Sequence, residues 1–220
     1  MSLELDVLAK NDALADENRS WLVGRGITAL NLMSSPGAGK TSLLERTIRE
    51  RGEDGTRPIC VIEGDQETRL DAERVRAAGA RTVQINTGAG CHLDAAMLRR
   101  GLDLLEPSDQ ALVFVENVGN LVCPALFDLG EASKVVVISV TEGDDKPLKY
   151  PSMFAVADLV VVNKTDLLPY VDFDLGRCER AARAVNPAVE LMPLSVRTGF
   201  GIDHWYRWVD AVPGRPPVGG

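Results

Sequence analysis

The sequence has no long hydrophobic run and no basic leader segment. No uninterrupted apolar stretch reaches the roughly 20 residues that a membrane-spanning helix needs. Residues 1–10 (MSLELDVLAK) lack the basic start, the apolar segment and the small-residue cleavage site of a secretory signal. We therefore expect a soluble, cytoplasmic protein with no membrane partner.

Positive charge is also scarce. The 220 residues include 24 Lys and Arg against 32 Asp and Glu, which gives a formal net charge of −8 at pH 7. Proteins that bind nucleic acid by neutralising phosphates carry clustered Lys and Arg. This charge balance argues against a nucleic-acid partner, and anionic membrane surfaces are disfavoured for the same reason.

Cysteine is sparse, with four widely spaced residues at positions 60, 91, 123 and 178. In a reducing compartment such thiols serve packing, metal binding or redox chemistry far more often than disulfides. The sequence around each cysteine has to decide between these roles.

The rest of the composition is that of an ordinary globular protein, with 45% hydrophobic and 25% charged residues. Short β-prone runs alternate with amphipathic stretches, which predicts an α/β fold with a mainly parallel sheet and helices on both faces. The predicted strands are 28–33, 58–62, 82–85, 111–115, 135–140, 159–162 and 189–194, and the predicted helices are 42–51, 69–78, 94–105, 175–185 and 203–212.

Three segments are expected along the chain. Residues 1–26 are charged, carry apolar residues at roughly helical spacing and read as an N-terminal helical arm. Residues 27–212 form the main domain. Residues 213–220 (PGRPPVGG) have little to bury, so we expect a disordered tail.

A phosphate-binding loop follows the first predicted strand. Residues 34–41 read SSPGAGKT and precede a helix-forming run, as in a P-loop NTPase, although serine replaces the first glycine of the usual pattern. Gly37 and Gly39 let backbone N–H groups approach phosphate oxygens, and the helix N-terminus adds partial positive charge. We expect Lys40 to bridge the β- and γ-phosphates and the Thr41 hydroxyl to ligate Mg²⁺.

A second motif, Asn163–Asp166 (NKTD), follows the apolar strand 159–162. The Asp166 carboxylate can accept hydrogen bonds from N1–H and the 2-amino group of guanine, whereas adenine would leave it unpaired. An isolated NKTD is usually a solvated turn. Here it follows a P-loop and precedes the loop Ser195–Arg197, which favours GTP over ATP.

Acidic residues at two strand ends complete the predicted nucleotide site. Asp65 and Glu116 are candidates for holding Mg²⁺ and positioning the attacking water, and Gly119 for meeting the γ-phosphate. The catalytic candidates are Lys40, Asp65 and Glu116, and the Mg²⁺ ligands are Thr41, Asp65 and Glu116. The nucleotide-binding candidates are Pro36, Gly37, Ala38, Gly39, Lys40, Thr41, Ser42, Gly119, Asn163, Lys164, Asp166, Ser195 and Val196.

A metal site is predicted from Cys91, His92 and Cys123. The first two lie in a glycine-rich turn and the third lies four residues beyond Gly119, so all three fall on loops at one end of the sheet. Two thiolates and an imidazole suit Ni²⁺ or Zn²⁺, and three ligands leave a fourth position open. Taken singly, each residue is more often packing or polar surface than a ligand.

Several longer motifs resemble those of the hydrogenase-maturation nickel-insertion GTPase family (HypB-type), which is related to the urease accessory GTPases. The motifs are SSPGAGKT (34–41), IEGDQETRLD (62–71), QINTGAGCHLD (84–94), ENVGNLVCP (116–124), EGDDKPLKYP (142–151) and NKTDLLPY (163–170). Single motifs are general to GTPases, but their combination from about residue 27 to residue 202 is specific.

The resemblance implies a GTP-hydrolysing protein that helps load nickel into the hydrogenase large subunit, together with a companion nickel-maturation protein. It also implies a homodimer favoured by GTP, and metal at the positions of Cys91, His92 and Cys123. A role for Lys146 near the nucleotide or the dimer partner is as plausible as an ordinary exposed lysine.

Two other classes of function stay open from the residues alone. One is a nickel- or zinc-binding adaptor in which the nucleotide stabilises the fold and hydrolysis matters little. The other is a P-loop kinase, disfavoured by NKTD, or a translation-type GTPase, disfavoured by the acidic charge and by the cysteine–histidine cluster.

Overall fold

A single parallel sheet organises the computed structural model, which describes residues 2–52, 57–65, 70–88 and 90–212, without the side chains of residues 2–5, 65 and 70–72. The strands are β1 (Thr28–Ser34), β2 (Ile59–Asp65), β3 (Arg81–Asn86), β4 (Leu112–Gly119), β5 (Ser133–Ser139), β6 (Leu159–Asn163) and β7 (Glu190–Pro193). Within the described residues the sheet order is β3-β2-β4-β1-β5-β6-β7, and every pairing is parallel.

The helices lie before, between and after the strands in the chain. They are α1 (Ser2–Gly24), α2 (Lys40–Gly52), α3 (Leu70–Ala77), α4 (Ala95–Leu105), α5 (Lys146–Lys149), α6 (Pro151–Ala155), α7 (Leu175–Val185) and α8 (Ile202–Ala211), with short 3₁₀ helices at Cys123–Leu126 and Thr165–Tyr170. Asp94 and Asp174 cap α4 and α7 by accepting backbone N–H bonds at 2.7 and 2.9 Å.

Apolar side chains cover both faces of the sheet, because strands between two helical layers are buried on both sides. Every residue of β5 is buried. On one face the strands pack against α2 and α8, where Trp205 is fully buried and donates to Thr47 Oγ1 at 2.9 Å. The other face packs against α1, α4, α6 and α7. The predicted fold class is therefore confirmed.

Two strands continue further than the sequence pattern predicts. The apolar runs end at Ile62 and Val115, but β2 continues to Asp65 and β4 to Gly119. Parallel neighbours continue the hydrogen-bonding ladder there, so polar residues remain in strand conformation. The short helices α5 and α6 were not predicted because four or five residues show no helical period.

Helix α1 lies against the domain through a partly polar face. Asn11, Asn18 and Arg19 are buried together with Ala15 and Leu22. Asn18 donates to the carbonyl oxygens of two residues outside α1, at 2.8 and 3.0 Å. Among the described residues, no helix combines the length and apolar character needed to cross a membrane. The predicted tail, 213–220, lies outside the described residues.

The sheet order reverses around β1, which lies between β4 and β5. In open α/β sheets such a point creates a crevice at the carboxyl ends of the strands, where ligands bind. Ser34, the last residue of β1, is aligned with Gly119 of β4 and with Val137 of β5. The candidate loops therefore meet at one edge of the sheet.

Candidate nucleotide and metal sites

The loop between β1 and α2 has the backbone geometry of a phosphate cradle. Gly37 and Gly39 have φ angles of +77° and +107°, a region that favours glycine. A Cβ on Gly39 would lie 2.4 Å from Asn163 Nδ2. That amide donates to the Ala38 carbonyl at 2.9 Å, so Asn163 holds the loop in place from β6.

Lys40 points back over this loop. Its Nζ donates to Ser34 Oγ at 2.7 Å, and the residue is only 8% exposed. Ser34 has no positive φ angle, so this position does not require the glycine of the usual pattern. The serine gives the ammonium group a hydroxyl contact at the edge of the phosphate cavity.

Thr41 and Glu116 face each other across the same cavity. The Thr41 hydroxyl donates to Glu116 Oε1 at 2.7 Å, and both residues are at least nine-tenths buried. A hydroxyl and a carboxylate are oxygen donors of the kind that Mg²⁺ prefers, so the residues present fit this ion. Asp65 ends β2, and its side chain lies outside the described residues.

The cavity between the P-loop, β2 and β4 has a volume of about 470 Å³. It is lined by Ser34, Pro36, Gly37, Gly39, Lys40, Thr41, Ser42, Glu63, Gly64, Arg74, Glu116, Asn117, Val118, Gly119 and Lys164. Backbone N–H groups at a helix N-terminus and an ammonium group are groups that bind phosphate, so this cavity is a candidate phosphate site.

A second cavity, of about 310 Å³, lies beyond the P-loop on the side of β6. Its lining includes Asn163, Lys164, Asp166 and Val196. Asp166 Oδ1 accepts the Ser195 hydroxyl at 2.6 Å, which fixes the direction of the carboxylate. The Val196 N–H donates to Asn163 Oδ1 at 3.2 Å, and Lys164 Nζ donates to the Gly37 carbonyl at 2.8 Å. These hydrogen bonds connect the residues that line the second cavity to each other and to the P-loop.

Cys91, His92 and Cys123 come together at the same edge of the sheet. Their potential ligand atoms all lie within 4.8 Å of one another. The Cys91 Sγ lies 3.7 Å from His92 Nδ1, and the imidazole stacks on Phe127 with the ring centres 3.9 Å apart. The three side chains are half-buried, so a ligand can reach them.

The protonation of this cluster follows from its surroundings. The hydrogen bond with Cys123, together with burial, raises the pKa of the Cys91 thiol. Burial lowers the pKa of His92 and favours the neutral imidazole, the form that binds metals. A metal ion must displace the thiol protons, so binding releases protons.

The other two cysteines lie in the hydrophobic core. Cys60 is 2% exposed and Cys178 is fully buried. Burial raises the pKa of both thiols, that of Cys178 to about 12. His204 is exposed and lies 3.7 Å from Glu190. Among the described residues, the group that could hold a metal contains only Cys91, His92 and Cys123, so we assign Cys60 and Cys178 to core packing.

Comparison with known proteins identifies the family. The model described as "CobW/HypB/UreG, nucleotide-binding domain" matches residues 28–193. The hydrogenase maturation factor HypB of Rhizobium leguminosarum bv. viciae is 55% identical over 218 residues, which cover 99% of this chain and 72% of that protein. The chain belongs to the HypB-type members of this family.

Two solved HypB structures share the fold over most of their length. HypB from Archaeoglobus fulgidus is 41% identical with a TM-score of 0.85, covering 93% of this chain and 98% of that one. HypB from Helicobacter pylori, solved in complex with nickel, is 38% identical with a TM-score of 0.84, covering 91% and 93%.

The HypB-type fold also places residues in the site that sequence reasoning missed. Glu63 is 3% exposed, pairs in register with Glu116 and lines the phosphate cavity. Arg74 of α3 lines the same cavity and bonds Glu45 at 2.7 Å. Glu63 lies at the acidic end of the second predicted strand, so the sequence pattern could have identified it as a site residue. No sequence pattern identifies Arg74, because a single arginine on a helix usually lies on the surface.

A third cavity, of about 480 Å³, joins the two candidate sites of this HypB-type chain. Its lining includes Pro36 of the P-loop, Cys91 of the metal cluster, Gly119 and Lys146. Lys146 Nζ lies 3.1 Å from Glu142 Oε2, and the same carboxylate accepts the Ser35 hydroxyl. Lys146 therefore lies close to both the nucleotide site and the cluster.

Proposed function

We propose that this chain is a GTPase that hydrolyses GTP slowly and uses its nucleotide state to control nickel transfer to the hydrogenase large subunit. The observation that carries the proposal is the shared cavity. Cys91 of the metal cluster and Gly119 of the nucleotide site line the same space of about 480 Å³. Two ligands that bind so close together can influence each other through one loop.

The base cavity supports GTP as the nucleotide. Asp166 presents a carboxylate whose direction is fixed by the Ser195 hydroxyl at 2.6 Å. Guanine offers two N–H donors to such a carboxylate and adenine offers none at the matching positions. A buried acceptor left unpaired by the wrong base gives strong discrimination.

The phosphate cavity supports hydrolysis. On nucleotide binding, Lys40 exchanges its bond with Ser34 Oγ for the β- and γ-phosphates, and Glu116 orients the attacking water. Thr41, Glu116 and Asp65 would hold Mg²⁺, which neutralises phosphate charge when bound. The Gly119 N–H would sense the γ-phosphate, a role supported by the close packing of Gly119 on Pro36 of the P-loop.

The Cys91–His92–Cys123 cluster supports metal as cargo rather than as a structural part. Three protein ligands leave the fourth position of a tetrahedral site open to water or to an acceptor. A closed structural site normally has four protein ligands. Nickel and zinc both suit this donor set, and the nickel complex of the Helicobacter pylori relative favours nickel.

The surface near the cluster supports a partner. Val122, Leu126 and Leu148 are 54%, 57% and 60% exposed, and the first two flank Cys123. Apolar side chains around an open metal site suit a second copy of this chain, favoured by GTP. Its relatives are named hydrogenase maturation factors, which supports a hydrogenase as a further partner. The proposal takes this partner to be the large subunit, adds a companion nickel-maturation protein and places the chain in the cytoplasm.

The test is a titration of the purified chain with Ni²⁺ and Zn²⁺, with GDP or with a non-hydrolysable GTP analogue, while the mass in solution is followed. We expect metal affinity to differ between the nucleotide states and the GTP analogue to favour a dimer. The Cys91→Ala variant should lose metal binding. The Cys178→Ala variant, which removes a core thiol, is the matched control.

Two results would count against the proposal. Equal metal affinity in both nucleotide states would leave two independent sites on one fold. GTP hydrolysis much slower than metal transfer to a chelator would instead indicate a metal-binding adaptor that the nucleotide only stabilises.

A further inference from the structure

Asn117 of β4 lies between the nucleotide and metal sites. It is 2% exposed and lines the phosphate cavity. Its side-chain Oδ1 accepts two backbone hydrogen bonds, from the Val118 N–H at 3.0 Å and from the Leu93 N–H at 3.1 Å. Val118 leads into Gly119, and Leu93 directly follows His92. One side-chain oxygen atom therefore accepts hydrogen bonds both from the end of β4, beside Gly119, and from the turn that carries Cys91 and His92.

The orientation of this amide is fixed by its neighbours. Asn117 Nδ2 donates to Asn31 Oδ1 at 3.2 Å, and Asn31 Nδ2 donates to Glu131 Oε1 at 3.0 Å. A carboxylate only accepts and a backbone N–H only donates, so neither amide can flip without placing like groups against each other. The Oδ1 of Asn117 is thus held toward the two N–H groups.

Leu93 makes a second contact with the nucleotide cavity. Its side chain is fully buried and packs on Gly64, which lines the phosphate cavity from β2. A Cβ on Gly64 would lie 2.5 Å from Leu93 Cγ. The backbone and the side chain of Leu93 are therefore both held by residues of the nucleotide site, directly beside the His92 ligand.

We propose that Asn117 is the positioning residue that couples the nucleotide state to the Cys91–His92 pair. The proposal rests on the proposed function and adds the residue that carries its coupling. A γ-phosphate that draws Val118 and Gly119 inward displaces the Asn117 oxygen. The Leu93 N–H then follows or loses its bond, and either response moves His92 relative to Cys123.

The experiment compares Asn117→Ala with wild type and with a matched control, Asn186→Ala. The control removes a structural amide that donates to the carbonyl oxygens of Phe154 and Ala157, before the start of β6, and leaves the Asn117 bonds intact. Ni²⁺ affinity is measured for each protein with GDP and with a non-hydrolysable GTP analogue, and thermal unfolding is recorded. The ratio of the two Ni²⁺ affinities is the coupling factor.

Wild type is expected to give a ratio in the range of about 5 to 150 typical of coupled sites. In Asn117→Ala, measured at saturating nucleotide, the ratio falls to within about twofold of one. Asn186→Ala loses stability and keeps most of the ratio.

Three outcomes would overturn the inference. A wild-type ratio of one defeats the proposed function and this proposal together. A wild-type ratio above one that persists in Asn117→Ala defeats this proposal alone. An equal loss of the ratio in Asn117→Ala and Asn186→Ala attributes the effect to a general loss of stability and defeats this proposal.

A measurement on wild type decides the question if Asn117→Ala does not fold. Amide hydrogen exchange reports the Leu93 N–H and the Val118 N–H separately from unfolding. We expect the protection of both to change when the GTP analogue replaces GDP. If the protection of the Val118 N–H changes and that of the Leu93 N–H stays constant, the Asn117 oxygen does not couple the two segments.

Discussion

Replacing Asp166 with asparagine should move the base preference from guanine to xanthine. The Ser195 hydroxyl donates to Asp166 Oδ1 at 2.6 Å. In Asp166→Asn this bond keeps the amide oxygen at the same place and puts the amide N–H₂ where the second carboxylate oxygen was. Xanthine has a carbonyl at position 2, so that amide can donate to it.

The size of the effect follows from the bonds exchanged. With guanine the variant loses one hydrogen bond to a charged acceptor, weakens the other and sets two donors against each other. Bonds to charged groups contribute about 1.5–3 kcal/mol each. GTP affinity should therefore fall by at least about 1.5–3 kcal/mol, or about 10- to 10²-fold.

The assay is competition between GTP and xanthosine triphosphate for a fluorescent nucleotide. Asp172→Asn is the control, because it removes an exposed carboxylate from the adjoining loop and should change neither affinity. If Asp166→Asn retained guanine preference, or if Asp172→Asn shifted preference equally, Asp166 would not read the base.

Three further predictions concern other parts of the chain. Lys40→Ala should abolish productive GTP binding, because it removes the ammonium group from the phosphate cavity; near-normal hydrolysis would remove the P-loop assignment. Alanine at any of the three clustered ligands should greatly weaken Ni²⁺ or Zn²⁺ binding, whereas Cys60→Ala and Cys178→Ala should not; equal damage from a core cysteine would refute this sorting of the thiols. Burial opposes ionisation of Asp128, yet the Lys134 charge, hydrogen bonds with Glu131 and the Gly130 N–H, and the Arg19 charge hold its pKa at about 2. Because that value lies below the unfolded value of about 4, the stabilisation by Asp128 is present above pH 4 and is lost as the pH falls towards 2. The protection factors of α1 amides, which correct for the slower intrinsic exchange in acid, should therefore fall on acidification in wild type and fall less in Asp128→Asn; identical acid profiles of the two proteins would contradict this.

The sequence carries strong local signals for the sheet and for the phosphate loop. The apolar runs of β5 and β6 are buried on both faces, so their pattern alone marks central parallel strands. Glycine is required at position 39 because the φ angle is positive and because a Cβ would clash with the Asn163 side chain. A requirement of this kind appears in the sequence as a motif. The sequence also indicates that Cys91 and His92 can bind one metal ion together, because the two residues are adjacent in the chain.

Other features depend on contacts between distant segments and leave no local pattern. The buried stripe of α1 runs through positions 11, 15, 18, 19 and 22, but three of these residues are polar, so hydrophobic periodicity does not show that the helix packs on the domain. Their burial is possible only because carbonyl groups and carboxylates from the loop around Asp128 accept their hydrogen bonds.

By itself, the sequence determined the parallel α/β fold and the position of the glycine-rich loop after β1, and it carries the motif for which we propose guanine recognition. Each rests on neighbouring residues with fixed backbone requirements. Only the tertiary structure placed Asn117 between Val118 and Leu93, since its hydrogen bonds connect segments 24 and 86 residues apart in the chain. An asparagine near the polar end of a strand has no distinguishing neighbours in sequence. Its role follows from the strand order, which brings the ends of β1 and β4 together beside the metal-binding turn.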